Sequence, residues 1–193
     1  MARPRPVASV VVPSDLACVP NGHLPSSLLV SLGPGLGSLH HLAARSWLAL
    51  QYTASEAGWP LTWTYGGLYR TLDQQISLFM QRWQSRPLAS RPSVHYAGGL
   101  WWLRAGVARA AVPGTSNHGL GLAVDVALGA HPSLAEPVTP ALSWLVEHAD
   151  EFSYTWEDQT EAWHIRYVSG DQVPPATLAF EERFDLAAAS ERT

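Results

Sequence analysis

From Leu122 to Leu128 the sequence alternates without a break. Leu122, Val124, Val126 and Leu128 fall on one face of an extended strand, and Ala123, Asp125 and Ala127 fall on the other. A period of two marks a strand, not a helix. Trp163 to Val168 repeats the arrangement, with Trp163, Ile165 and Tyr167 on one side and His164, Arg166 and Val168 on the other. The apolar faces belong to a core. The opposite faces each offer one potential metal ligand, Asp125 and His164, from uncrowded surroundings.

A third ligand precedes the first strand. His118 lies seven residues before Asp125, with Gly119 and Gly121 between them. Glycines allow a tight turn, which can bring an imidazole back toward a carboxylate on the strand. Two His and one carboxylate suit zinc and leave a fourth position for water. Glu161, three residues before His164, is then the candidate base, because zinc lowers the pKa of its water toward ~7 and a nearby Glu can take that proton. In a continuous strand Glu161 and His164 would face opposite sides, so Glu161 is expected in a turn ahead of the strand. Taken singly, these residues have plainer readings: a lone His is more often structural, and an Asp in a strand often pairs with an Arg. A Ser116–His118–Asp125 hydrolase triad is rejected, because no nucleophile elbow surrounds Ser116.

Arg70 stands directly before Thr71-Leu72-Asp73-Gln74, which has the form of a capping box. A guanidinium at a helix N-terminus makes a site for a carboxylate or a developing oxyanion. The helix behind it carries an apolar stripe of Leu72, Ile76, Phe79, Met80 and Trp83. Other elements are read in the same way. Ser38 is an expected N-cap for a helix ending near Gly58, with Leu39, Leu42, Ala43, Trp47, Leu50 and Ala54 at helical spacing. Leu61 to Tyr65 reads as a strand ending at Gly66-Gly67. Thr139 caps a helix with Pro140 at its first position, and Leu142, Leu145, Val146 and Ala149 form its buried stripe. A last helix starts near Pro175 and carries Leu178, Phe180 and Phe184. Residues 85–115, with Trp101-Trp102, read as one long irregular connection that either shapes a binding groove or packs on the surface. Residues 1–37 read as an extended arm, and residues 38–193 as a single domain.

Composition narrows the function classes. The 193 residues are 47% hydrophobic and 15% charged, which supports a folded core. All twelve basic residues are Arg and the net charge is −4, so a nucleic-acid partner is not expected. Arg3 and Arg5 are followed by Val7 to Val12, a run too short for a signal sequence, and no stretch approaches the ~20 apolar residues of a membrane span. The expectation is a monomer made in the cytoplasm without a signal peptide, with no membrane insertion. Cys18 is the single cysteine, so there is no internal disulfide and no Cys-based zinc site. His23, His40, His41, His95, His131 and His148 show no matching partners and read as surface or packing residues, with His40-His41 offering at most an adventitious metal contact.

Ser116-x-His118-x-x-Gly121-x-Ala123-x-Asp125, followed by Glu161-x-Trp163-His164, resembles the zinc D-Ala-D-Ala carboxypeptidases and L-alanyl-D-glutamate endopeptidases of peptidase family M15. Tyr69-Arg70-Thr71 resembles that family's Tyr-Arg-Ser/Thr segment before a helix. Thr71 stands where Ser is commoner, and Leu68 where Gly often precedes Tyr-Arg. The likeness runs from about residue 60 to 168. It implies an α+β fold shared with the hedgehog signalling domain: a small, mainly antiparallel sheet with flanking helices. It implies zinc on His118, Asp125 and His164, Glu161 as general base and acid, and Arg70 on the scissile carbonyl or a substrate carboxylate. Ser116, Gln74 and Trp163 are the further expected substrate contacts. The expected activity is hydrolysis of amide bonds in peptidoglycan stem peptides, by a carboxypeptidase or an endopeptidase, in a phage endolysin released by a holin or in another cell-wall lytic enzyme. The alternatives are a zinc-retaining binding module without turnover and a metal hydrolase acting on another amide.

Overall fold

The computed structural model describes residues 9–128, 139–158 and 160–190, with side chains to residue 185. Arg3, Arg5, the start of the Val7 run and His131 lie outside the described residues. The chain runs β1 (Leu29–Ser31), β2 (Ser38–His40), α1 (His41–Glu56), α2 (Leu72–Arg82), β3 (Trp83–Gln84), β4 (Ser93–Tyr96), β5 (Gly99–Leu103), β6 (Ala123–Asp125), α3 (Pro140–His148), β7 (Tyr154–Trp156), β8 (His164–Tyr167) and α4 (Pro175–Ser190). Short 3-10 turns sit at Ser14–Leu16, Ser26–Leu28, Asn117–Leu120 and Ala149–Phe152. This is an α+β architecture whose antiparallel strands divide into three small sheets, ordered β1-β2, β3-β5-β4 and β6-β8-β7.

The main core lies between α1 and the β6-β8-β7 sheet. Trp47, Leu50 and Ala54 of α1 meet Leu122, Val124, Ile165, Tyr154 and Tyr167 there, all fully buried. The alternation of the two strands therefore places their apolar faces as expected. α1 begins later than its sequence indicated. Ser38 is not a cap but a residue of β2, opposite Ser31. The extended backbone continues through His40, whose N–H donates to the Gly121 carbonyl at 2.9 Å. The helix starts at His41 without a side-chain cap. α4 packs on α1 through an Arg45–Glu181 ion pair at 2.6 Å and through Tyr52 against Phe180 and Phe184. Of the apolar residues that α4 carries, Leu178 and Phe184 are exposed. Thr139 caps α3 by accepting from the Leu142 N–H, with Pro140 in the first turn.

Residues 9–37 lie against this core. Leu16 and Leu24 are buried in it, and Asn21 and Gly22 bond to the loop before β6. The strand expected at Leu61–Tyr65 shrinks to a single bridge between Trp63 and Val126. Its backbone still flanks β6, with Thr64 N–H donating to the Asp125 carbonyl. The Gly67 N–H closes a turn on the Thr64 carbonyl, and the Gly67 carbonyl accepts the Asp125 N–H at 2.8 Å.

α2 starts with the expected capping box, Thr71 and Gln74 each accepting from the other's backbone. Its stripe is narrower than expected. Phe79 and Trp83 are buried, while Met80 is exposed and the buried residue of the first turn is Gln75. Phe79 and Trp83 belong to a second cluster with Leu103 and Ala110. That cluster exists because residues 85–115, expected to be irregular, contain the β4–β5 hairpin. Its loop is Ala97-Gly98, both at positive φ (49° and 76°), the two-residue turn whose twist matches antiparallel strands. Ala in the first of those positions is rare, which hid the hairpin from the sequence. Trp101 packs against Phe79 at 5.5 Å and donates its Nε1–H to the Tyr96 carbonyl, so it is part of this second core. Trp102, one residue on, points to the other face and is half-buried.

Phe79→Ala is expected to destabilise the protein by about 3–5 kcal/mol, because the ring is fully buried against Trp83, Tyr96 and Trp101. Urea unfolding measures it; a cost under about 1 kcal/mol would mean that the hairpin does not depend on this cluster.

Candidate metal centre and active site

The register of β6 on β8 sets Asp125 directly opposite His164. Their side chains leave the sheet on the face away from the core. His118 comes to them from the 3-10 turn Asn117–Leu120, which is capped by the Ser116 hydroxyl accepting from the His118 N–H. His118 Nε2 lies 3.2 Å from Asp125 Oδ1, His164 Nδ1 lies 2.9 Å from the same oxygen, and the two ring nitrogens are 3.3 Å apart. Ligands of a tetrahedral zinc, each about 2.0–2.1 Å from the ion, stand about 3.3 Å from one another. The three donors therefore fit zinc with little adjustment.

Each imidazole has its other nitrogen occupied. His118 Nδ1 is 2.8 Å from the Leu68 carbonyl, which can only accept, so Nδ1 carries hydrogen and Nε2 turns its lone pair to the cluster. His164 Nε2 is 3.3 Å from Glu157 Oε2, which leaves Nδ1 facing the cluster. Such outer partners fix the tautomer and orientation of metal-ligating His. Glu157 was missed in the sequence. It follows Trp156, which pairs with Ile165, so the same register carries it alongside His164. Only the β7–β8 pairing reveals this. His164 thus stands on the central strand between two carboxylates, Asp125 and Glu157.

Charge in the site follows from burial and these neighbours. Burial raises the Asp125 carboxyl, but His118 and His164 outweigh it and hold the group well below the ordinary carboxylate range. Burial depresses His164, yet its hydrogen bonds to Asp125 and Glu157 prevail and its pKa is pushed up to about 9. His118 is pushed down by burial, only partly opposed by Asp125. The proton of the pair therefore resides on His164, and His118 is neutral. The His164 hydrogen bond, with help from Asn117 and Arg166 and against burial, holds Glu157 down at about 2.

Arg70 reaches the same carboxylate from the start of α2. Its Nη2 donates to Asp125 Oδ2 at 2.5 Å and lies 3.0 Å from His118 Nε2, while its Nε donates to the Gly66 carbonyl. Its guanidinium is thus among the metal donors rather than out over a substrate groove. Glu161 lies in the turn expected of it. Its N–H donates to the Asp158 carbonyl, and its own carbonyl accepts the His164 N–H at 3.0 Å. Burial raises the Glu161 pKa, opposed by His164 and aided by Asp125, Asp158 and Glu157. Of the other expected contacts, Ser116 is buried at the cap of the His118 turn, and Trp163 is half-buried beside His164 with its carbonyl bonded to Val126. Gln74 is exposed and its carboxamide is committed to the cap. Its neighbour Gln75 is the buried one, bridging Asn21, the Arg70 carbonyl and the Gly114 N–H.

A tight backbone approach supports this loop. A Cβ on Gly119 would stand 1.9 Å from Asn21 Oδ1 and 2.3 Å from Gln75 Nε2. At Gly121, φ is 67° and a Cβ would meet the His40 nitrogen at 2.7 Å. Gly119 is required by contact, and Gly121 by contact and by its positive φ.

The family model of VanY, the D-alanyl-D-alanine carboxypeptidase, matches residues 37–170. The chain belongs to the VanY D-alanyl-D-alanine carboxypeptidase family. The match spans every residue of the metal centre, with Arg70 and Glu161. Three solved structures share the fold. The LdcB LD-carboxypeptidase, whose structure concerns peptidoglycan recognition, is 21% identical over 84% of this chain and 76% of its own, with a TM-score of 0.54. A mutant of the VanY D,D-pentapeptidase from a VanB-type vancomycin resistance cassette, in complex with zinc, is 22% identical over 89% and 92%, at 0.51. VanYB in complex with D-alanine-D-alanine is 22% identical over 90% and 91%, at 0.51. No curated protein matches the chain in sequence.

Two outcomes follow. A metal must displace the proton from His164, so apparent zinc affinity is expected to fall about tenfold per unit of falling pH between about pH 8 and pH 6. Zinc titration calorimetry at several pH values measures the slope, and a flat profile would contradict the assignment of the proton. Gly119→Ala is expected to cost about 1–3 kcal/mol and to weaken zinc binding, since Asn21 and Gln75 must move and the His118 turn moves with them. Unaltered melting and zinc affinity would refute this.

Proposed function

We propose that this protein is a zinc-dependent peptidoglycan carboxypeptidase that removes the terminal D-amino acid from stem peptides. The observation that carries the reading is the triangle of His118, Asp125 and His164 donors, 2.9–3.3 Å apart with both imidazoles oriented from behind, in a chain of the VanY family. When bound there, zinc would polarise the scissile carbonyl and acidify the attacking water. Leu68, Glu157 and Arg70 keep the three donors aimed. Glu161, with its raised pKa, takes the proton of the attacking water and returns it to the leaving amine. The Arg70 guanidinium, held beside the metal donors by Asp125 and the Gly66 carbonyl, would place its positive charge next to the oxyanion that develops at the metal. Ser116, at the cap of the His118 turn, and Trp163, next to His164, are the proposed substrate contacts.

A cell-wall lytic setting, including that of a phage endolysin, is compatible with this chemistry and rests on the sequence reading alone. Its test is lysis of host cells from within on co-expression with a holin.

The direct test is mass spectrometry of pentapeptide stems ending in D-Ala-D-Ala after incubation with the zinc-loaded protein. Loss of a single terminal alanine is expected, and Glu161→Gln is expected to lower the rate by about 10²–10⁴-fold. Zinc binding without cleavage of any wall peptide would favour a binding module instead. Glu161 must be ionised to act as a base, so the rate is expected to drop as pH falls through its raised pKa. That acid limb lies above the ordinary glutamate value, and a pH–rate profile measures it.

A further inference from the structure

A second convergence of metal-ligating side chains lies outside the centre described above. Asp15, in the 3-10 turn Ser14–Leu16, meets His40 at the end of β2 and His41 at the start of α1. His40 Nε2 is 3.1 Å from Asp15 Oδ1 and 3.2 Å from Oδ2, and His41 Nε2 is 2.8 Å from Oδ2. Both rings present the same nitrogen, with centroids 4.4 Å apart, and the three donor atoms all lie within 4.8 Å of one another. Among the described residues, this and the catalytic triangle are the two groups of this kind.

We propose that Asp15, His40 and His41 form a second, structural zinc site. The donor set, two imidazoles and one carboxylate, is the same as that of the first centre. Its carboxylate–imidazole separations are close to the edge of a zinc tetrahedron, about 3.3 Å. The site is built rather than casual. His40 is fully buried, and its backbone is pinned by the 2.9 Å bond to the Gly121 carbonyl. Its Nδ1 has no partner among the described residues, so the ring's polar contact is through the nitrogen that faces Asp15. Asp15 and His41 are partly exposed, which leaves the outer side of the group open to water as a fourth ligand. A second carboxylate, Asp171, holds the Ser14 N–H at 2.8 Å and adds negative charge beside the group.

The place of the site gives it a role. An ion there ties the 3-10 turn of the N-terminal segment to the first residue of α1. The same segment continues to Asn21 and Gly22. Asn21 donates to the Ser116 carbonyl, and Gly22 bonds both to the Gly119 carbonyl and to the Leu72 N–H. The second zinc would thus fasten the strap that backs the His118 turn, without touching substrate.

The experiment is zinc titration of the chelator-stripped full chain, with metal content counted after desalting. Two zinc ions per chain are expected for the wild type. His41→Ala and Asp15→Asn change partly exposed side chains, and each is expected to bind one ion and to lose the melting-temperature rise produced by the second equivalent. A His118→Ala/His164→Ala variant is expected to retain one ion. Circular dichroism establishes that each variant is folded. A wild-type count of one would overturn the proposal. So would a second ion that persists in both His41→Ala and Asp15→Asn, or one held only at millimolar zinc, which would be an adventitious ion only. These counts do not depend on hydrolysis, so they stand apart from the test of catalytic activity.

Discussion

Everything chemical in this molecule depends on the pairing of β6 with β8. An antiparallel register that sets Val124 against Ile165 puts two fully buried side chains in the core. It necessarily sets Asp125 against His164 one position along. Cross-strand neighbours of this kind have Cβ atoms about 4.5–5.5 Å apart, the right reach for two side chains to share one ion. A slip of β6 by one residue would turn its carboxylate toward the core, away from His164, and carry its apolar side chains into the site. Core formation and ligand placement are therefore the same event.

Such a placement buries opposite charges where water cannot screen them. An unpaired carboxylate in this position would be strongly destabilising. Asp125 instead divides its two oxygens, Oδ1 toward the imidazoles and Oδ2 toward Arg70. Glu157 approaches His164 from the other flank and carries its own partners, Asn117 and Arg166. The site is a chain of compensated charges that extends from α2 to the edge of β7. Its electrostatics are set by second partners as much as by the ligands.

The ligands were legible in the sequence because strands have a strict period and ligands have few residue types. Asp125 interrupts a small-residue face, His164 stands opposite the apolar face of its strand, His118 stands beside glycines, and Glu161 precedes its strand by a turn. The capping box at Thr71 was legible for the same reason, being a local hydrogen-bond pattern. What escaped was non-local. Glu157 becomes a partner of His164 only once β7 lies beside β8, and Asp15 meets His40 and His41 across 25 and 26 positions of sequence. Ser38 had the chemistry of a cap, but the pairing of β1 with β2 and the bond from His40 to Gly121 claimed the backbone first. The β4–β5 hairpin turns on Ala97 at positive φ, an unfavourable local choice that the Phe79 cluster sustains.

The two imidazoles face the centre through different nitrogens, and this has a mechanical consequence. His164 offers Nδ1, the atom nearer its backbone, and Asp125 is a short side chain, so the sheet holds two donors on short arms. His118 offers Nε2, at the far tip of its ring, from a 3-10 turn. A small rotation of that turn becomes a larger displacement at the ring tip, whereas the same rotation of a sheet residue moves its donor little. The sheet thus defines where an ion sits. The turn sets how firmly the third arm closes on it, so whatever stiffens the turn, from Ser116 to Asn21 and Gln75, adjusts the grip without shifting the seat.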